Sequence, residues 1–404
     1  MYSSVPIQTI FLFYRNEGLL RGLYTMSYTK PSKIQKMAIP LILANPPRNL
    51  IAQSQNGTGK TAAFVLAMLK RIDPDLKQTQ AICLAPSREL ARQMLDFIQE
   101  VSKYLTITSA GILRDVFKPT ARASLNKNQM LTDHIVVGTP GTILNCLRKR
   151  HTINVNHIKM FVLDEADNML DYQGLGDQSI RIRNLIPVQP QILLFSATFP
   201  DYVCRFARRF APDPHEIMLK VEELSVSSIG QCYMDCINEE QKYNVVCNIY
   251  DVLTVSQSII FCKRRKSADV IARKMRELGH LVNCIHGEMT PDERDVIIDD
   301  FRRGIFKVLV TTNLISRGID ITSVSLVINY EMPLDRYGNP DAEVYLHRIG
   351  RTGRFGHTGV SIIFVHDETT YRHMKYIEDY FKVKIRRIPT EDWQEIEKIF
   401  KQYI

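Results

Sequence analysis

The sequence predicts an α/β architecture built twice: two tandem domains, each a mostly parallel sheet covered by helices on both faces. Three observations predict it. Short, nearly continuous Val/Ile/Leu runs alternate with amphipathic stretches along the whole chain, as expected for strands buried on both faces and joined by crossover helices. Such runs fall into two sets, one in each half. The 404 residues also exceed one ordinary core, given roughly 100–200 residues per domain.

The strands of the first set are Asn49–Gln53, Ala81–Ala85, His134–Gly138, Met160–Asp164 and Gln191–Ser196. Those of the second are Ser258–Cys262, Leu281–Ile285, Lys307–Thr311, Leu326–Tyr330 and Ser361–Val365. Ala91, Met94, Leu95, Ile98 and Val101 share one face at helical spacing, as do Ala268, Ile271, Ala272, Met275 and Leu278. Thr290-Pro291-Asp292-Glu293 combines an N-cap, a proline at the first helical position and a capping-box glutamate. The stretch from Thr390 opens acidic, with Glu391 and Asp392, which suits a helix N-terminus. Between the two sets, 220–230 lacks periodicity and reads as the linker. Residues 39–219 and 231–404 are then the two domains, preceded by a separate region, 1–38.

A net charge of +9 suits a polyanionic partner, nucleic acid or an acidic membrane surface, and equally a merely basic soluble protein. The eight cysteines sit mostly in apolar runs around residues such as Cys83 and Cys262, as buried thiols of a reducing compartment do. Cys232 and Cys236 lack a second Cys or His pair at zinc-site spacing. Met1–Tyr14 has no basic n-region or small-residue cleavage site. No run reaches the ~18 apolar residues that span a bilayer. The expected location is cytoplasm or nucleus.

Ser54-Gln55-Asn56-Gly57-Thr58-Gly59-Lys60-Thr61 lies between a predicted strand and a predicted helix. It fits a phosphate-binding loop with Ser54 in place of the first glycine. Small residues let backbone N–H groups wrap phosphate oxygens, Lys60 neutralises β/γ charge and Thr61 can ligate Mg²⁺. By itself the stretch could be a Gly-rich turn. Asp164-Glu165-Ala166-Asp167 follows a strand; there Asp164 can hold Mg²⁺ and Glu165 can position an attacking water.

With Pro31-Ser32-Lys33-Ile34-Gln35 upstream and Ser196-Ala197-Thr198 downstream, these motifs resemble, in order, those of the DEAD-box ATP-dependent RNA helicases. The resemblance runs over essentially the whole chain. It implies two RecA-like domains with ATP and RNA bound between them, and ATP and Mg²⁺ as cofactors. It also implies adenine recognition by Gln35 and by an upstream aromatic, Phe11 or alternatively Phe13. Pro86-Ser87-Arg88-Glu89-Leu90 and Thr139-Pro140-Gly141 are similar to two of the family's RNA-facing segments, which assigns Pro86, Arg88, Thr139, Pro140 and Gly141 to RNA. The family's Gly-Gly loop is reduced here to Gly111.

In the second half, Tyr345-Leu346-His347-Arg348-Ile349-Gly350-Arg351-Thr352-Gly353-Arg354 is the most specific stretch. Arg351 and Arg354 stand three apart, so one helical face could aim both at a γ-phosphate. The resemblance makes them arginine fingers and adds His347 to the catalytic set. Thr311-Thr312-Asn313-Leu314-Ile315-Ser316-Arg317-Gly318-Ile319-Asp320 is similar to a segment whose hydroxyls and arginine grip RNA while its aspartate meets the ribose. That assigns Thr311, Thr312 and Arg317 to RNA and Asp320 to ATP. Asn313 and Ser316 replace the commoner Asp and Ala. His286, Gly287 and Arg294 fit another RNA segment, Arg294 equally a surface helix residue.

Asn45-Pro46-Pro47-Arg48-Asn49, Asp177-Gln178-Ser179-Ile180-Arg181-Ile182 and Gly338-Asn339-Pro340-Asp341 resemble the nuclear-pore mRNA-export branch. That implies action at the cytoplasmic face of the pore. It also implies docking on a cytoplasmic-filament nucleoporin and stimulation by an export mediator carrying inositol hexakisphosphate. The branch's restraining N-terminal extension is expected to be missing, since about ten residues precede Phe11. A helicase of translation initiation or ribosome assembly, a non-catalytic ATP-gated RNA clamp and, more weakly, a DNA helicase remain alternatives.

Overall fold

The computed structural model describes residues 16–28, 30–55, 57–113, 130–170, 174–219, 228–252, 256–313, 324–353, 358–390, 394 and 396–398. Two compact units part after Leu219. In the first the elements are α1 (Glu17–Thr25), α2 (Lys33–Leu43), β1 (Leu50–Gln53), α3 (Lys60–Arg71), β2 (Ala81–Leu84), α4 (Arg88–Ser102), β3 (Ser109–Ile112), β4 (Ile135–Gly138), α5 (Pro140–Asn145), β5 (Met160–Leu163), α6 (Ala166–Met169), α7 (Leu175–Leu185), β6 (Gln191–Ser196), α8 (Asp201–Phe210) and β7 (His215–Ile217). The second holds β8 (Ile229–Asp235), α9 (Glu239–Val252), β9 (Gln257–Phe261), α10 (Arg265–Glu277), β10 (Val282–Ile285), α11 (Pro291–Arg302), β11 (Val308–Thr311), β12 (Val324–Asn329), α12 (Ala342–Ile349), β13 (Gly359–Val365), α13 (Glu368–Phe381) and β14 (Arg386–Ile388).

The sheets run β3-β4-β2-β5-β6-β1-β7 and β10-β11-β9-β12-β13-β8-β14. Numbered from its own first strand, the second has the same order as the first, so the duplication extends to topology. The strand pairings within both sheets are parallel. Each sheet separates two cores by the two-residue period of a strand. Leu50 and Ala52 face one core of the first unit and Ile51 the other. Ile260 and Val310 face one core of the second, Ile259 and Leu309 the other.

All ten strands read from the sequence are present, with ends within two residues. Among the described residues, four strands escaped the pattern. β3, β7 and β14 are short edge strands, and β8 alternates buried Cys232 and Met234 with half-buried Gln231, Tyr233 and Asp235 instead of running apolar. The linker reading is corrected at its end: Ile229 and Gly230 already pair with Gly359 and Val360. Leu278 is also corrected, because α10 stops at Glu277 and leaves that side chain 60% exposed. Gly111 lies inside strand β3, where a Cβ would come within 2.6 Å of Leu95, so packing explains it better than a loop. The helix expected from Thr390 is present at 394 and 396–398. Among the described residues no helix is long and apolar enough to cross a membrane.

Candidate nucleotide site and nucleic-acid interface

Parallel register brings the carboxyl ends of the strands to one edge, where open α/β sheets bind ligands. In the first unit that edge carries the loops after Gln53, Leu84, Gly138, Leu163 and Ser196. The predicted phosphate loop is the first of them and leads into α3. Gly59 has φ 95°, and a Cβ there would meet Gln35 Nε2 at 2.4 Å, so only glycine fits. Ser54 and Thr58 share a hydroxyl hydrogen bond of 2.5 Å, which closes the loop across the position of the replaced glycine. Lys60 is buried, and its Nζ donates to the Ser54 carbonyl at 2.8 Å. Thr61 follows in the first turn of α3, beside N–H groups that a helix start leaves available.

Gln35 is buried and does two jobs. Its Oε1 accepts from the Ser32 N–H at 2.9 Å and completes the capping box of α2, while Nε2 donates to the Gly59 carbonyl at 3.1 Å. A primary amide keeps a second N–H and a second lone pair beyond those two bonds. The residue predicted to read adenine therefore also ties α2 to the phosphate loop. Gln35→Ala is expected to weaken ATP binding by about tenfold or more and to cost about 1 kcal/mol through the lost cap. Nucleotide titration and denaturant unfolding measure the two effects separately.

Asp164 and Glu165 follow β5 and are both buried. Asp164 Oδ1 accepts from the Glu165 N–H at 2.9 Å. Burial pushes the Asp164 carboxyl up to about 7, with Glu165 and Asp167 adding to the rise and Lys60 opposing it. Glu165 sits at φ 51°, an uncommon backbone for a side chain of its size, and its Oε2 accepts from Asn168 Nδ2 at 2.6 Å. Asp167 faces the next loop instead: Oδ2 accepts from the Thr198 hydroxyl at 2.6 Å and N–H at 3.2 Å, and its own N–H donates to Ser196 Oγ at 3.2 Å. The DEAD and Ser-Ala-Thr motifs are thus one hydrogen-bonded unit.

Ser87 caps α4 by accepting from the Leu90 N–H at 3.2 Å, with Pro86 and Arg88 half-buried beside it. Thr139 and Thr142 form a capping box with Pro140 at the first turn of α5, and Gly141 lies close to Gln178 of α7. These RNA-assigned residues share the edge that carries the phosphate loop.

In the second unit, His286 and Gly287 follow β10, Thr311 ends β11 with Thr312 next, and Arg294 lies half-buried on α11. Thr311 is corrected: its side chain is fully buried and its hydroxyl donates to the Ile285 carbonyl at 3.0 Å, so it braces two strands rather than facing RNA. The helical face proposed for Arg351 and Arg354 is corrected too. α12 ends at Ile349 with Gly350 as its cap, so Arg351 sits in the turn beyond, buried, with Nε donating to the His347 carbonyl at 3.1 Å. His347 itself is buried on α12. Phe11, Phe13, Asn56, Arg317, Asp320 and Arg354 lie outside the described residues.

Nothing in its motif assigns Arg348 a role. It is 1% exposed. Its guanidinium donates to Asn313 Oδ1 at 3.0 and 2.6 Å, to Asn329 Oδ1 at 3.0 Å and to the Glu331 carbonyl at 2.8 Å, over the Phe261 ring. Burial draws its pKa down to about 10. Its place on the buried face of α12, one turn beyond Tyr345, was the available signal. Arg348→Met would leave the buried Asn329 Oδ1 unmatched and remove the bonds to Asn313 and to the Glu331 carbonyl, and the second unit is expected to lose about 3–5 kcal/mol in denaturant unfolding.

Comparison with known proteins agrees with this geometry. The pattern of the DEAD/DEAH box helicases matches residues 32–206, and that of the helicase conserved C-terminal domain matches 241–356. The ATP-dependent RNA helicase dbp5 of Schizosaccharomyces pombe is 55% identical over 383 residues, 95% of this chain and 74% of that protein. The structure of S. cerevisiae Dbp5 bound to RNA and ADP BeF3 is 49% identical, with a TM-score of 0.91 over 98% of this chain and 99% of that one. A Dbp5 variant bound to Nup159, a Gle1 variant, IP6 and ADP is also 49% identical, with a TM-score of 0.71 over 96% and 98% of the two chains. With a phosphate loop, an Asp-Glu-Ala-Asp unit joined to Ser-Ala-Thr and a second domain of the same topology, the chain belongs to the DEAD/DEAH box helicase family.

Proposed function

We propose that the chain is an ATP-dependent RNA helicase that hydrolyses ATP to ADP and phosphate, stimulated by RNA, to open short duplexes or remodel RNA–protein complexes. One observation carries the reading: Gln35, the phosphate loop and the Asp164–Thr198 unit meet at one sheet edge through direct hydrogen bonds or adjacent loops. Gln35, with Phe11 upstream, selects adenine, and Asp320 takes the ribose. The N–H groups of Ser54 to Thr61 hold the phosphates, and Lys60 neutralises their charge. Glu165 orients the attacking water, and Arg351 and Arg354 offset charge on the transferred phosphoryl group, with His347 supporting Arg351 through its carbonyl.

Thr61 and Asp164 would hold Mg²⁺. The buried Asp164 carboxylate and the Thr61 hydroxyl are hard oxygen donors of the kind Mg²⁺ takes, on neighbouring segments of one sheet edge. When bound, the ion would offset the negative charge of the phosphates.

Pro86, Arg88, Thr139, Pro140, Gly141, Gly287, Arg294, Thr312 and Arg317 hold the RNA backbone, Thr311 and the buried His286 acting from beneath. Contacts to phosphate and 2′-OH make binding sequence-tolerant, salt-sensitive and RNA-selective. RNA-bound Dbp5 at 49% identity supports this reading. The relative bound to Nup159, Gle1 and IP6 supports a place in mRNA export at the cytoplasmic face of the nuclear pore, docked on a nucleoporin and stimulated by a partner carrying inositol hexakisphosphate. The test is ATPase rate and short-duplex unwinding with and without RNA, then with those partners. RNA-independent turnover, or intact duplexes at saturating ATP, would overturn the helicase reading; a failure to bind the nucleoporin alone would overturn the export role.

A further inference from the structure

Outside the nucleotide site, Asp269, Cys284 and His286 bring a carboxylate oxygen, a thiol sulfur and an imidazole nitrogen within 4.8 Å of one another. Backbone geometry builds the group. Cys284 lies in β10, an edge strand, and His286 is the first residue after it, two positions on, so both side chains leave the same face. α10 covers that face and lowers Asp269 onto it. Cys284 and His286 are at least nine-tenths buried, while the Asp269 side chain is about half exposed, which leaves a route from solvent.

We propose that Asp269, Cys284 and His286 form a Zn²⁺ site with a fourth position open to water. Nitrogen, sulfur and oxygen donors in a set of three are the composition zinc takes at open tetrahedral sites. The spacing agrees. At zinc bond lengths and the tetrahedral angle, the oxygen would stand about 3.4 Å from the nitrogen and about 3.6 Å from the sulfur. Asp269 Oδ1 lies 3.1 Å from His286 Nε2 and 3.4 Å from Cys284 Sγ. Ordinary hydrogen bonds have similar lengths, but here one carboxylate oxygen faces both donors, and the three donor atoms lie within 4.8 Å of one another.

Proton accounting is consistent. With Nε2 donating to Asp269, His286 Nδ1 is the bare nitrogen, and it is buried without a hydrogen-bond partner among the described residues. Coordination through Nε2 moves that proton to Nδ1, and the Cys284 thiol proton leaves to solvent as the thiolate binds. Zinc would also fix the His286 ring immediately before Gly287, at the start of an RNA-assigned loop.

The test uses the full chain with Co²⁺ as a spectroscopic probe, then Zn²⁺ as competitor. We expect one Co²⁺ per chain to give a thiolate-to-cobalt charge-transfer band that Zn²⁺ abolishes. A cation held by Thr61 and Asp164 has no thiolate ligand and gives no such band. Cys284→Ser is expected to lose the band, and Asp269→Asn to weaken Co²⁺ binding at least roughly tenfold. Circular dichroism of both variants verifies the fold, and Asp269→Asn alters a half-exposed helix residue, so it remains informative if Cys284→Ser unfolds. Absence of the band in the native chain, its persistence in Cys284→Ser, or unchanged affinity in Asp269→Asn would each overturn the proposal.

Discussion

Glu165→Gln is expected to lower steady-state ATP turnover by about 10²–10⁴ while leaving ATP and RNA bound together, because it removes only the carboxylate that orients the attacking water. The substitution is nearly isosteric. A glutamine carbonyl oxygen can accept the Asn168 Nδ2 hydrogen bond that Oε2 accepts now, at 2.6 Å, so the left-handed backbone at this position keeps its anchor. Removing one carboxylate also takes away one of the influences that raise the Asp164 pKa. Retention of radiolabelled nucleotide on RNA, beside steady-state phosphate release, is the measurement. Multiple turnover at the native rate would remove Glu165 from its assigned role.

Arg351→Ala is expected to slow hydrolysis further, by about 10³–10⁵, while nucleotide affinity in the absence of RNA changes little. The argument is electrostatic. A guanidinium contributes most where charge develops during phosphoryl transfer, so its loss falls on turnover rather than on ground-state binding. Arg351 also has a local tie, from Nε to the His347 carbonyl. The turn beyond it is held by Thr352 Oγ1 donating to the Val324 carbonyl at 2.7 Å and by Ser228 Oγ donating to the Gly353 carbonyl at 3.1 Å. Those two bonds do not involve the Arg351 side chain, so the turn should survive. Arg351→Lys keeps the charge but loses the planar fork, and should recover only part of the rate. Single-turnover kinetics with bound RNA, and titration with a fluorescent nucleotide, separate the two effects; equal losses in both would mean that Arg351 serves binding.

The strand periodicity, the phosphate loop and the order of motifs were legible because they depend on neighbours in sequence. A continuous apolar run of four or five residues reads as a doubly covered strand wherever it lies. Gly59-Lys60-Thr61 at a helix start likewise follows from the local needs of a phosphate group. The boundary of α12 was not legible. Arg351 and Arg354 have helical spacing, yet Gly350 caps the helix before either, and a three-residue interval cannot distinguish a last turn from the loop after it. β8 was missed because its alternating pattern reflects one shielded and one half-open face, which depends on what covers the sheet.

The sequence by itself determined that there are two parallel α/β domains, that the first carries a phosphate loop and an acidic strand end, and that the chain resembles the RNA helicases with such motifs. Only the tertiary structure decided which side chains meet. It joined Gln35 to Gly59, Asp167 to Thr198, Arg348 to Asn313 and Asn329, and Asp269 to both Cys284 and His286. It also turned the Thr311 hydroxyl inward. The physical reason is register. Parallel strands adjacent in a sheet can lie far apart in the chain, and which residues stand level at an edge depends on how the sheet is paired, which no local pattern encodes.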